Sequence, residues 1–266
     1  MAAQGPMRRR ARLATAAAAG LLMALALVAC APRQPAPPAP GSDRFRPFLI
    51  PGSLAPFEAL GVAQFTYKGQ AQSGELLLRA QPGPSYQLQL RAPVTGSLAL
   101  ELRFDAQELL VLDYAKRSYF FGDNTPESRQ ALFSVDLDPE EFAMVVTGRV
   151  LQAWYQAGGG RSTAPGEVEF SRGEDRYRFH LDAEGLPQSW EKLHAGSPVF
   201  SVEYRSYLSL PLPAGPPLRL PQRIRVFFQQ RQPALVLGIS QVDLGTAGAP
   251  VEFNIPPDVL QNFQAE

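Results

Sequence analysis

Ser97-Leu98-Ala99-Leu100-Glu101-Leu102-Arg103-Phe104 alternates apolar and polar side chains along its length. A β-strand turns successive side chains to opposite faces. Leu98, Leu100, Leu102 and Phe104 therefore share one face, and Ala99, Glu101 and Arg103 the other. The same period-2 pattern recurs on both sides. Tyr86, Leu88 and Leu90 alternate with Gln87, Gln89 and Arg91. Tyr177, Phe179 and Leu181 alternate with Arg176, Arg178 and His180. Ile224, Val226 and Phe228 alternate with Arg223, Arg225 and Phe227.

Further strands are expected at Val62–Lys68, Gly74–Arg79, Leu109–Asp113, Ser118–Gly122, Val168–Arg172, Gln188–His194, Val199–Tyr207 and Ala234–Asp243. Gly, Asp, Asn or Pro separates them, and Gly173-Glu174-Asp175 and Ala183-Glu184-Gly185 suit hairpin turns. This spacing suits an antiparallel meander. Each strand has one apolar face, which must fold onto something. The expected fold is mainly β, a curved antiparallel sheet of about ten to eleven strands with a small helical insertion. The insertion centres on Asp138-Pro139-Glu140-Glu141, where Asp caps, Pro occupies the first turn and acids meet the positive helix end. Phe142, Val145 and Val146 form its apolar side, and Gly148 ends it. Pro126 to Leu132, Val150 to Tyr155 and the residues after Pro256-Pro257 offer further short helical turns.

Upstream of this region the chain changes character. Arg8, Arg9, Arg10 and Arg12 precede an uncharged, Ala- and Leu-rich run, Leu13 to Ala29, of 17 residues. A spanning helix needs roughly 20, so residues 1–29 read as a secretory leader. Leu27-Val28-Ala29-Cys30 resembles a lipobox, in which the leader is cut before a cysteine that is then acylated. Cys30 is the single cysteine of the chain, so no disulfide within it is possible. Ala31 follows Cys30, which by the sorting rule of Gram-negative lipoproteins implies an outer-membrane location, lipid-anchored and facing the periplasm. Residues 30–56, Pro-rich at their start, read as a tether, and 57–266 as one β domain.

The formal charge is zero, with 25 basic and 25 acidic residues. The leader takes four of the basic residues and no acid, leaving −4. That balance argues against a nucleic-acid partner. Nor is there a chemical inventory for an enzyme. His180 and His194 are the only histidines, and neither belongs to a cluster with metal-ligand spacing. No Gly-x-Ser-x-Gly nucleophile elbow occurs. Gly158-Gly159-Gly160-Arg161-Ser162 lacks the ending of a phosphate loop and reads as a flexible loop. The paired acids Glu140-Glu141 and Glu174-Asp175 fall at a helix start and a turn, where acids are normally solvated. No catalytic residue, metal site or cofactor is expected.

Four stretches together resemble the LolA/LolB lipoprotein-localisation family. They are Arg91-Ala92-Pro93-Val94-Thr95-Gly96-Ser97, Leu132 to Gly148, Leu220-Pro221-Gln222-Arg223-Ile224-Arg225-Val226, and Phe253-Asn254-Ile255-Pro256-Pro257. The resemblance spans roughly residues 58 to 260. It implies an unclosed β-barrel whose apolar concave face holds acyl chains beneath a helical lid. By that resemblance Phe65, Tyr86, Leu88, Leu90, Leu98, Leu100, Leu102, Phe104, Phe120, Phe179 and Phe228 line the cavity, and Phe142, Val145 and Val146 belong to the lid. Val94 stands at the loop tip where LolB carries a protruding leucine. Lipoprotein cargo and a periplasmic carrier are the implied partners, beside the outer-membrane lipid. The apolar stripe has a second reading, a core filled by its own side chains. The chain would then be a structural or assembly lipoprotein of an envelope complex.

Overall fold

The computed structural model describes residues 48–50, 55–83, 85–134, 136–212, 217–228, 233–245 and 251–265. The leader and Cys30 lie outside them. The first elements are β1 (Leu49–Ile50), β2 (Phe57–Tyr67), β3 (Gln70–Gln81), β4 (Ser85–Arg91), β5 (Leu98–Phe104), β6 (Glu108–Asp113) and β7 (Ser118–Asp123). Helices α1 (Pro126–Phe133) and α2 (Pro139–Thr147), strand β8 (Val150–Leu151) and helix α3 (Gln152–Ala157) follow. The second run of strands is β9 (Arg161–Ala164), β10 (Glu167–Arg172), β11 (Asp175–Leu181), β12 (Pro187–His194), β13 (Ser197–Leu210), β14 (Leu218–Phe227) and β15 (Leu235–Leu244). Helix α4 (Pro257–Asn262) and β16 (Gln264–Ala265) complete the order.

Fourteen strands form one sheet in the order β16-β7-β6-β5-β4-β3-β2-β15-β14-β13-β12-β11-β10-β9. The count exceeds the expected ten to eleven. The difference includes β9 and β16, which are too short to show an alternation. The sheet is also mixed, because β16 joins β7 in parallel while the remaining pairs run antiparallel. Its terminal strands do not pair, so it is not closed. The two meanders meet where β15 returns beside β2.

Register carries the apolar face from strand to strand. Ala59 stands opposite Leu78, Leu78 opposite Leu88, Leu88 opposite Leu102, Leu102 opposite Val111 and Val111 opposite Phe120. This inner face and the helices make the main core. Phe48 is 0% exposed and packs 4.8 Å from the Phe179 ring, while β1 pairs with β8. The fold therefore recruits residues upstream of the expected boundary at 57.

Helix α2 forms where the sequence placed it. Asp138 accepts the Glu141 amide and Glu141 accepts the Asp138 amide, a reciprocal capping box. Gly148 ends the helix at φ 64 with its N–H on Met144 O, the left-handed conformation that glycine adopts at least cost. Helix α1 is capped by Thr125, whose hydroxyl accepts from the Ser128 amide.

On the outer side, Leu110, Leu112 and Val259 form a second small core with Tyr114, Tyr119, Phe253, Ile255 and Phe263 against it. The C-terminal segment thus covers the outer face of β6. Arg103 donates to the carbonyls of Glu252 and Asn254 and fastens the segment to β5.

Candidate functional site

The concave side divides into two halves of different character. Under β10 to β14 it is filled by aromatic rings. Phe170 stacks on Tyr177 at 4.9 Å and Phe179 on Trp190 at 5.2 Å, and Phe200 meets Trp190 at 5.1 Å. Phe179 belongs to this filled half. Under β2, β4, β5 and β15 leucines and phenylalanines leave a cavity of about 90 Å³ between them. Phe65, Leu88, Leu102, Phe104, Phe142 and Phe228 line it.

Besides Phe179, five expected lining residues stand outside this cavity wall. Tyr86 lies behind Phe104 and Phe142, its ring 5.2 and 5.0 Å from theirs. Leu90 and Leu100 are buried farther along the same face, opposite each other. Leu98 and Phe120 are half-buried. On α2, Phe142 reaches the cavity while Val145 and Val146 are buried in the core. Val94, in the loop between β4 and β5, is 96% exposed.

The wall also includes residues the alternation pattern did not single out, among them Leu109, Phe133, Leu137, Leu235, Asn124 and Arg129. One signal could have found Leu137. It precedes the Asp138 cap, and Phe142 is the fourth residue after that cap, the two positions of a hydrophobic staple. Arg129 brings charge to the wall, and it is already committed. Its Nε and Nη2 donate to Asp136 Oδ1 at 2.9 and 2.6 Å. Its Nη1 donates to Asn124 O and Oδ1 at 2.9 and 3.0 Å. A ligand here meets an almost wholly apolar surface.

Helix α2 is fixed against the filled half by a buried polar chain. Glu141, expected to be solvated at a helix start, is 1% exposed. One of its carboxylate oxygens lies 2.7 Å from Lys192 Nζ and accepts the Tyr177 hydroxyl, also at 2.7 Å. Lys192 reaches Asp175 at 3.0 Å, and Asp175 meets the half-exposed His194 at 2.8 Å. Burial and the nearby Asp138 push the Glu141 carboxyl up from its ordinary range, against the opposing pull of Lys192 and Tyr177. Burial works against the Lys192 ammonium, but Glu141 and Asp175 outweigh it and hold that pKa above its usual value. At the other end Trp190 donates to the Tyr204 hydroxyl, which donates to Met144 O at 2.9 Å.

No protein-family model matches the sequence, and no curated protein matches it. Solved structures do. A domain from Vibrio parahaemolyticus, provisionally classed as outer membrane lipoprotein-sorting, superposes at a TM-score of 0.50 with 10% identity, over 75% of this chain and 89% of that one. The fold resembles that of a lipoprotein-sorting domain. A DUF1329 family protein from Desulfovibrio piger also gives 0.50, at 9% identity over 73% of this chain and 88% of that one. A LolA superfamily protein from Nitrosomonas europaea gives 0.42, at 11% identity over 76% and 90%. At these identities the likeness to a lipoprotein-sorting fold is a likeness of architecture. The resemblance read from the sequence stands as a structural similarity.

Among the described residues, no group of three or more His, Cys, Asp or Glu side chains is placed to hold a metal ion. His180 lies 3.4 Å from Glu167, and His194 lies beside Glu174 and Asp175.

Proposed function

We propose that this chain is an outer-membrane lipoprotein, acylated at Cys30. It binds an acyl chain of a lipoprotein or a related amphiphile on the concave face of an unclosed barrel, and it acts in lipoprotein localisation or lipid transport. The apolar cavity under Phe142 carries this reading. The lipoprotein-sorting fold and the sequence around Cys30 support it. The capture step is burial alone, worth about 0.8 kcal/mol for each methylene removed from water. No covalent step enters the account.

The size of the cavity sets a condition on the reading. An apolar cavity of about 150 Å³ takes up one benzene ring, and this one is smaller, at about 90 Å³. It takes the end of a chain as it stands. A whole acyl chain requires α1 and the Phe142 ring to move outward as a lid, while α2 stays held at Glu141 by Lys192 and Tyr177. Release reverses that motion when a membrane or partner binds the cargo better. Val94, exposed at its loop tip, is placed to touch the receiving membrane. Lipoprotein cargo and a periplasmic carrier are the proposed partners.

The aromatic filling under β10 to β14 favours a second reading, an assembly lipoprotein that uses the same fold without a ligand. Titration with a fluorescent fatty acid separates the two. Saturable uptake, displaced by unlabelled fatty acid, is the expected result. No uptake at any accessible concentration would leave the assembly reading in its place.

A further inference from the structure

On the outer face of the sheet, strand arginines are matched to acids. Arg79 Nε lies 2.7 Å from Glu58, Arg103 Nε 2.7 Å from Glu101 and Arg178 Nη1 2.8 Å from Glu191. Arg161 and Arg176 share Glu169 at 3.2 and 3.8 Å. Three neighbouring arginines on β13 and β14 are matched less closely. Arg205 on β13 stands directly opposite Arg223 on β14, and Arg225 follows two residues later on the same face. All three are exposed. Arg205 has Glu203 at 4.0 Å, the limit of an ion pair. The side chains of Arg223 and Arg225 make no ion pair or hydrogen bond among the described residues. Like charges directly opposite each other destabilise a sheet; Glu203, directly opposite Arg225 and 4.0 Å from Arg205, is the acid that faces the three, so the cluster keeps a charge of +2.

The patch is compact. Residues two apart on one strand are separated by roughly 6.5 Å, and directly opposed residues by about 5 Å. Three guanidinium groups therefore gather over an area of a few phosphate oxygens, which they bind in forked pairs. Beside them the surface turns apolar. Arg223 pairs with Gly238 on β15, and Gly238 pairs with Val62 on β2. Gly238 has no side chain, and Val62 Cγ2 lies 3.0 Å from where its Cβ would stand, so Val62 leans over Gly238 toward the cations. Val62 is 59% exposed, and Leu60 beyond it is also exposed.

We propose that this outer patch docks on the phosphate layer of an anionic lipid membrane. Arg205, Arg223 and Arg225 meet lipid phosphates, while Val62 and Leu60 enter the headgroup boundary. Charge complementarity carries the argument: three arginines face one glutamate on this patch, a local surplus of positive charge on a chain that beyond its leader is acidic, at −4. The patch lies on the opposite face of the sheet from the cavity and does not depend on what the cavity holds. Residues 31–47, seventeen in all, can span at most about 60 Å when extended, enough to bring the patch to the membrane that would hold Cys30.

The test uses the chain Ala31–Glu266, which keeps every core residue among those described, the first of them Phe48. It is sedimented with vesicles of phosphatidylcholine alone and of phosphatidylcholine mixed with phosphatidylglycerol. Binding is expected only with phosphatidylglycerol, and it weakens as salt screens the charges. R223Q and R225Q each lower it about five-fold, while R79Q, on the same face but already paired, leaves it unchanged. Circular dichroism checks that each variant is folded. Absence of binding, equal binding to both vesicles, or full binding by the R223Q/R225Q double variant would overturn the proposal. So would capture of a poly-glutamate peptide without vesicle binding, which assigns the patch to an acidic protein.

Discussion

Lys192 Nζ lies 2.7 Å from Glu141 Oε1, joining the first turn of α2 to β12 across the filled half of the concave side. The same glutamate closes the capping box of the helix. One buried carboxylate thus starts the helix and attaches it to the sheet.

Removing one partner strands the other charge in the interior. Lys192→Met should lower the unfolding free energy by about 3–5 kcal/mol, the usual cost of breaking a buried pair from one side. Lys192→Met with Glu141→Gln should cost less than the sum of the single changes, because no unpaired charge is then left at the buried Glu141 position, while Asp175 keeps His194. Urea unfolding of the four proteins measures the coupling. Additive costs would mean that the contact holds nothing.

The fold should fail at alkaline pH. Burial, aided by Asp113, pushes the Tyr67 pKa up to about 12, and burial also raises Tyr86, Tyr177 and Tyr204. The folded state holds these protons more tightly than the unfolded chain does. Their contribution is complete below the ordinary tyrosine value of 10.0 and is lost as pH rises through the folded values. Lys192, held above 10.5 in the fold, acts in the same direction. Urea midpoints should therefore fall from about pH 10 upward, with tyrosinate absorbance of the buried rings appearing only as the protein unfolds. Early, non-cooperative ionisation of all eight tyrosines would contradict this.

Gly61→Ala should be among the most damaging single-methyl additions. A Cβ at this position would sit 2.0 Å from the Gly238 carbonyl oxygen. The obstruction is backbone, so β2 and β15 would have to separate where the two meanders join. Loss of several kcal/mol is expected, as for severe overpacking against a part that cannot move. A thermal midpoint unchanged from the parent would refute the close approach.

Cys30→Ser should abolish incorporation of labelled palmitate and shift the protein from the membrane to the soluble fraction. Membrane association that persists without the thiol would overturn the anchor.

The sheet was legible because one of its faces is polar, even where, as at Glu101 and Arg103, the polar side chains are covered and pair with each other. In β5 the alternation appears directly in the side chains, and Leu100 and Leu102 are indeed buried. In β6 it disappears, since Leu109, Leu110, Val111 and Leu112 are buried on both faces. The reason is a segment more than a hundred residues away, with Val259 covering Leu110 and Leu112. Helix α2 was legible from its Asp-Pro-Glu-Glu start, because a cap is a local device. What that start also does was not legible. Glu141 reads as a solvated acid until β11 and β12 bring Tyr177 and Lys192 against it. Those partners are 36 and 51 positions away in the chain, and no local pattern links them. The cavity was legible in part for the same reason. Leu88 and Leu102 follow from alternation, whereas Phe133 and Arg129 reach it from α1 and Leu137 from the segment before α2, whose docking the strand period does not encode.

Native mass spectrometry of the purified chain Ala31–Glu266, beside Leu102→Phe, tests the central claim most directly. Leu102 lines the cavity, and the larger ring would occupy it. The account predicts a co-purifying or added fatty acid held one-to-one by the parent protein and lost from a folded Leu102→Phe variant. Absence of ligand from the parent under repeated loading, or equal retention by both proteins, would contradict it.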